Sequence, residues 1–260
     1  MIQTHEIKEN LSFSFVILYR HKDLVRLQNL KRVLEWATSF SESEIILVEQ
    51  DKHSKIGHFN LPVKHIFTKT EMPFNRSWGF NVGVKHAKAD VVVLTDCDLI
   101  MDPFNFIEGL RLMTNYECVS PYSSVVDLNV TESLGKLEEM VKIQRPGRGE
   151  TDNQKINICG GMTIFRKDAF LRIGGYNEDF VGWGGEDDFM AVKVKNFLSW
   201  HEMPGKCYHL FHEREAPETK WYQRNLQLLQ KLGALNKDEL QRHIVGTLPK
   251  IGMKNKYDNF

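Results

Sequence analysis

The chain is poor in the features that would make it a disulfide scaffold, a membrane span or a polyanion binder. Its 260 residues hold four cysteines, Cys97, Cys118, Cys159 and Cys207, far apart and with no Cys-x-x-Cys spacing. A chain this long can bury a sizeable core without covalent staples, so free thiols in a reducing compartment are expected. No apolar run approaches the length that spans a bilayer, and Met1 to Asn10 lacks the apolar core of a signal peptide. Both absences predict a cytoplasmic protein, with peripheral association at the inner face of the membrane as the other option. Charge of one sign is also missing: 34 Lys and Arg balance 34 Asp and Glu. That balance argues against nucleic acid as a partner. There is no internal repeat and no low-complexity segment.

What is present reads as alternating strands and helices. Ser12 to Tyr19 is a short buried strand, and Leu24, Leu27, Leu30, Val33 and Leu34 follow at helical spacing. Arg20 and Lys22 sit where that strand hands over to that helix, the place where open α/β sheets bind anions. Glu44 to Asp51 and Val63 to Phe67 are the next strands. Pro73 opens a helix expected to end near Ala89-Asp90. Val91 to Thr95 is a continuous apolar run of the kind found in central parallel strands. Pro103 to Asn115 reads as a helix, and Cys118 to Ser120 as a short strand. From Asp127 to Lys155 the text turns polar, and a helix over Leu134 to Ile143 followed by a mobile loop is expected. Ile156 to Arg166 resumes as a strand, with Gly160-Gly161 marking a bulge or the close approach of a ligand. A short helix over Lys167 to Ile173, a helix over Glu186 to Phe197 and a strand over Cys207 to His212 follow. Two terminal helices, Pro217 to Gly233 and Lys237 to Val245, precede a polar tail. The alternation predicts an α/β fold with a mainly parallel central sheet flanked by helices.

Three places carry chemistry. Asp96-Cys97-Asp98 closes the most apolar strand, and paired carboxylates there suit Mg2+ or Mn2+. His209 and His212 are three residues apart, and imidazole ligands would shift preference toward Mn2+. Trp183-Gly184-Gly185-Glu186-Asp187-Asp188 joins glycines to an aromatic ring and three consecutive acids. Acids at a helix start complement the macrodipole, so this stretch also has a purely structural explanation.

Taken together, Phe74-Asn75-Arg76, Asn81-Val82-Gly83, Asp96-x-Asp98, Gly160-Gly161 and Trp183 to Asp188 resemble the metal-dependent GT-A-fold glycosyltransferases. The resemblance points to the β-1,4-galactosyltransferase group and its bacterial family-2-like relatives, and it runs from about Phe13 to Glu215. It implies one GT-A (nucleotide-diphospho-sugar transferase) domain over 1–260: a nucleotide-binding half over about 12–125, an acceptor and catalytic half over about 156–215, and C-terminal helices over 216–250. It implies a UDP-sugar donor, a glycan or glycolipid acceptor as in polysaccharide biosynthesis, and Mn2+, with Mg2+ as the alternative. Phe74 would stack on uracil, and Arg76 and Arg20 would face the diphosphate. Asp98 would bind the metal and Asp96 would support the metal or the sugar nucleotide. The relatives' Met-x-x-His pair falls on His209 and His212, with His209 in the methionine's place; a His-x-Phe pattern in other relatives favours His209. Asp187 would be the general base of an inverting transfer, Glu186 and Asp188 would orient the substrates, and Trp183 would be a sugar platform on a glycine-hinged loop. Gly160 and Gly161 would line the donor. Ile158 stands where the galactosyltransferases have a tyrosine that crowds the donor's C2 substituent, which implies room for an N-acetyl group. Two alternatives remain at this point: a retaining GalNAc-transferase-like enzyme, and a non-catalytic sugar-nucleotide or glycan-binding module.

Overall fold

The structure is a computed structural model that describes residues 12–41, 43–57, 60–151, 156–214, 216 and 218–257. The expectation for Met1 to Asn10 lies outside them. β1 (Phe13–Tyr19) is buried along its whole length and alternates its side chains between two cores. Phe13, Phe15, Ile17 and Tyr19 enter one core, while Val16 and Leu18 enter the other, as the two-residue period of a strand requires. α1 (Leu24–Thr38) is started by Asp23, whose carboxylate accepts from the Arg26 amide at 2.8 Å.

β2 (Ser43–Asp51), β3 (Val63–Lys69) and β4 (Val91–Asp96) join β1 in an all-parallel block ordered β3-β2-β1-β4. Between β3 and β4 runs α2 (Arg76–His86), capped by the Asn75 side chain on the Trp78 amide. It lies so close to the sheet that a Cβ on Gly83 would fall 2.1 Å from Val16 Cγ1. The helix stops at His86, three residues before the expected end, because Ala87 turns extended with ψ 139°.

Beyond β4 the chain enters β5 (Leu99–Met101), α3 (Pro103–Arg111), β6 (Cys118–Ser120) and β7 (Ser124–Asp127). The expected helix over 103–115 is α-helical only to Arg111 and finishes as a 3-10 turn over Leu112–Thr114. α4 (Val130–Leu134) and α5 (Leu137–Met140) replace the single helix expected over 134–143, divided at Gly135. The following loop is anchored, against expectation: Arg148 bridges Val125, Arg145 donates to the Asp127 carbonyl, and the Arg145 carbonyl accepts from Lys206 at 3.0 Å. Residues 152–155 of that expected loop lie outside the described ones.

β8 (Thr163–Arg166) is antiparallel to both β4 and β6. It is shorter than expected, since 156–162 forms an irregular approach with Gly161 at φ +85°. α6 (Lys167–Arg172), α7 (Glu186–Phe197), β9 (Trp200–Glu202) and β10 (Lys206–His209) follow, then α8 (Thr219–Gly233) and α9 (Lys237–Thr247). The large sheet runs β3-β2-β1-β4-β8-β6-β9 and is mainly parallel. A second sheet of three strands, β5-β10-β7, forms beside the carboxyl end of β4. The segment after α9 is not simply a polar tail. Ile251 is buried, the Gly252 amide donates to Glu178, and Trp78 Nε1 donates to the Met253 carbonyl at 2.8 Å.

Candidate active site

The small sheet explains how distant residues meet. β10 pairs His209 with Leu99 on one side and with Asp127 on the other. Asp98, one residue before Leu99, is thereby carried to the two histidines. Ligand atoms of Asp98, His209 and His212 lie within 4.8 Å of one another. The expected strand over 207–212 ends at His209, and His212 reaches the site from the loop beyond, after the Leu210 amide donates to the Asp98 carbonyl.

Each imidazole stands between two acceptors. His209 Nδ1 is 3.1 Å from Asp127 Oδ1 and its Nε2 is 3.9 Å from Asp98 Oδ2. His212 Nδ1 is 2.9 Å from the Glu213 carbonyl and its Nε2 is 3.4 Å from the same Asp98 oxygen. Both Nε2 atoms thus face one Asp98 oxygen, an arrangement in which all three atoms would be ligands of a single cation. Asp127 is the kind of outer carboxylate that fixes the tautomer of a metal-binding histidine. The donor set of one carboxylate and two imidazoles therefore fits a divalent ion. Burial disfavours the charge on Asp98, but bonding to His212 and the neighbouring His209 and Arg26 outweigh it and hold the carboxyl well below its usual range. Asp127 is similarly held at about 2: burial opposes ionisation, while His209, Arg148 and Arg214 favour it.

Arg76, the first residue of α2, joins this region to the acidic stretch. Its Nε donates to Asp96 Oδ1 at 2.8 Å, its Nη1 bonds Asp187 Oδ1, and its Nη2 donates to the Gly161 carbonyl at 3.1 Å. Its carbon also lies 4.6 Å from the Phe80 ring centroid. The guanidinium is thus committed to protein acceptors on each of its nitrogens. Asp187 heads α7, and its carboxyl is pushed up to about 8. Burial is the main cause; Arg76 pulls the other way, and the charges of Glu186 and Asp96 add to the rise. Tyr176 Oη stands 3.4 Å from the same Asp187 oxygen. Glu186 is buried, its carboxyl is raised chiefly by that burial, and its Oε2 has no hydrogen-bond partner among the described residues. An unsatisfied buried carboxylate oxygen is costly unless a ligand meets it. Asp188 is exposed and accepts from Asn157 Nδ2 at 2.8 Å.

Gly182, Gly184 and Gly185 hold φ of +76°, +101° and +88° and present Trp183 to solvent, 64% exposed, 5.5 Å from the Tyr222 ring of α8. Gly160 lies near Asp187, and Gly161 is in contact with Tyr122, where a Cβ would sit 2.4 Å from the hydroxyl. Ile158 is buried in the apolar cluster of one sheet face. Phe74 is half-buried, and its carbonyl accepts from the Gly182 amide at 2.9 Å. Arg20 lies on the β2–β3 side and donates to the Met72 carbonyl at 2.8 Å. Sequence reasoning passed over Arg26, Asp127, Tyr176 and Asn157. Arg26, ion-paired with Asp98, sits in a helix whose spacing reads only as amphipathic, so no signal marked it. Asp127 closes a short apolar run, Ser124 to Asp127, much as Asp96 closes β4, and that likeness could have found it.

Residues 150–213, which contain the glycine pair, the acidic stretch and both histidines, match the family model "N-terminal domain of galactosyltransferase". The chain is 28% identical over 160 residues to chondroitin sulfate N-acetylgalactosaminyltransferase 1 of Homo sapiens, an alignment covering 58% of this chain and 29% of that protein. Among solved structures it resembles Staphylococcus aureus TarS 1–349 in complex with UDP-GlcNAc, with TM-score 0.58, 13% identity, and coverage of 91% of this chain and 71% of that one. It also resembles GalNAc-T7 with UDP, GalNAc and Mn2+, with TM-score 0.57, 15% identity, and coverage of 84% and 48%. The chain has the GT-A fold of these solved structures, and its residues 150–213 are similar to the galactosyltransferases. This GT-A chain spans 29% of the length of the human and mouse chondroitin enzymes it matches. Among its described residues no helix is long and apolar enough to cross a membrane.

Proposed function

We propose that the chain is a metal-dependent, inverting glycosyltransferase that moves a hexose or N-acetylhexosamine from a UDP-sugar to a glycan or glycolipid hydroxyl. The observation that carries this reading is Arg76, which bonds Asp96 and Asp187 with one guanidinium. A carboxylate with a raised pKa is thereby held one side chain away from the Asp-x-Asp pair. In this reading Asp187 takes the proton of the acceptor hydroxyl, whose oxygen attacks the anomeric carbon on the face opposite the nucleotide. The bond from that carbon to the β-phosphate oxygen breaks, the electron pair leaves with UDP, and the proton remains on Asp187. A positioned base of this kind contributes about 10²–10⁴-fold. Asp98, His209 and His212 would hold the divalent ion, whose contribution is to neutralise charge on the leaving diphosphate.

Arg76 is then a positioning residue for Asp96 and Asp187, while Arg20 and Phe74 are the nucleotide contacts. Glu186 Oε2 accepts from a sugar hydroxyl, Asp188 orients the acceptor from the rim, and Trp183 is the sugar platform. Gly160, Gly161 and Ile158 shape the donor pocket, and Ile158 leaves room for an N-acetyl group. A GalNAc-transferring relative and fold neighbours holding UDP-GlcNAc or UDP with GalNAc favour UDP-GalNAc or UDP-GlcNAc beside UDP-galactose. The test is a screen of UDP-sugars against Mn2+ and Mg2+ for donor hydrolysis, which needs no acceptor. Turnover of a UDP-N-acetylhexosamine, strongest with Mn2+ and abolished by chelator, is expected. Hydrolysis indifferent to chelator would overturn the metal assignment. Once an acceptor is in hand, a product whose anomeric proton shows retention would overturn the assignment of Asp187 as base.

A further inference from the structure

Each acid of the Asp96-x-Asp98 pair has its own arginine. Asp96 has Arg76, which is nearly buried and shares itself with Asp187. Asp98 has Arg26, from the first turn of α1, whose Nη1 is ion-paired with Oδ2. That is the same oxygen the Nε2 atoms of His209 and His212 face. The Asp98 side chain is only 6% exposed, so its charge needs a close partner of opposite sign. Arg26 is a long side chain still 26% exposed.

We propose that Arg26 is the ligand-free counter-cation of Asp98 and a nucleotide contact in the loaded site. It yields the carboxylate to the divalent ion and turns to the diphosphate that arrives with it. This inference rests on the metal reading of Asp98, His209 and His212. Its physical basis is competition for one oxygen. A guanidinium and a dication both at Oδ2 repel each other, so the ion must displace Arg26, and the cost is subtracted from the affinity for metal alone. A diphosphate supplies new acceptors for the released fork, for which a planar guanidinium is suited. Arg26 thereby makes metal and nucleotide binding interdependent, a coupling that is reciprocal between the two ligands.

The test reads binding rather than turnover. Mn2+ affinity is measured by electron paramagnetic resonance, and UDP affinity at saturating Mn2+ by calorimetry, for the wild type, Arg26→Met and Arg26→Lys. The expected result has two opposite signs: Arg26→Met binds Mn2+ alone about tenfold more tightly, an effect of the size of a single close charge interaction, and binds UDP more weakly. Arg26→Lys, which keeps the charge and loses the fork, falls between, and either variant decides the matter if the other does not fold. Unchanged or weaker Mn2+ binding, or unchanged UDP binding, overturns the proposal. If the wild type itself binds no Mn2+, it is the metal reading that fails, so the two failures are distinguishable.

Discussion

Asp187 has to be ionised to accept a proton, and its surroundings make that the difficult state. With its carboxyl raised to about 8, most of the population is protonated at pH 7. Transfer measured as kcat/KM is therefore expected to rise about tenfold per pH unit below that value and to level above it. A flat profile between pH 6 and 9 would remove Asp187 from the role. The same shift has a consequence for stability. A carboxyl raised above its unfolded value contributes stability that is present at low pH and lost as pH climbs through the folded value. Asp187→Asn has no such proton to lose. Its melting temperature relative to wild type should climb between pH 6 and 9, while transfer is abolished and UDP binding is kept. Turnover at wild-type level in that variant would refute the base assignment. At this scale sequence reading finds the residues that carry a motif and misses those whose role comes from long-range contact. Asp98, His209, His212 and Asp187 stand out by type and spacing. Arg26 and Asp127 are ordinary residues until α1 and the β7–β10 register bring them beside Asp98 and His209.

The glycine-rich stretch before α7 is held more firmly than its composition suggests. Its glycines suggested a loop free to swing, but α8 lies directly against it. Gly184 is so close to Tyr222 that a Cβ would come within 3.1 Å of the ring. Asn225 is fully buried, and its Nδ2 donates to the carbonyls of Val181 at 3.0 Å and Trp183 at 3.2 Å. The amide is thus a tie between α8 and the Trp183 segment. Asn225→Ala would leave two carbonyls without their donor, and about 1–3 kcal/mol of stability should be lost for such a deletion. Urea unfolding checks the cost; a loss under a few tenths would show that water takes over both carbonyls. A comparable loss is expected for Gly161→Ala, which forces an L side chain to φ +85° and into the Tyr122 hydroxyl. The helix bounds of α7 were legible because acids at its start and apolar spacing within it agree. The start of β8 was not, since Ile156 to Met162 is as apolar as a strand yet spends its backbone on a turn around Asn157 and Gly160.

At the scale of the whole molecule, the order of strands β3-β2-β1-β4 follows from alternation in the sequence, whereas the second sheet does not. Three strands of three or four residues, drawn from positions near 100, 125 and 208, carry too little local pattern to be paired in advance. The C-terminal segment is the other long-range surprise. Beyond α9 the chain returns to α2, where Tyr257 Oη accepts from Asn75 Nδ2 at 3.1 Å and Lys256 pairs with the buried Glu178. Asn75 is the cap of the helix whose first residue is Arg76, so this segment braces the arginine that holds Asp187. Deleting residues 251–260 removes the buried Ile251, the Gly252 bond to Glu178 and the Met253 acceptor of Trp78. For a chain of this size each kcal/mol lost lowers the melting temperature by roughly 2–4 °C, and a fall of about 5 °C or more is expected. The functional effect should be selective. Asp98, His209 and His212 are set by the small sheet, whereas the bonds of the described residues 251–257 go to Asn75, Trp78 and Glu178, so Mn2+ affinity should stay within about twofold of wild type, inside the scatter of single-site effects. Transfer depends on Arg76 presenting Asp187, so kcat should fall about tenfold, the size of a small misplacement of a catalytic group. Loss of Mn2+ affinity in step with kcat would mean that the segment supports the fold as a whole rather than the α2 side of the site.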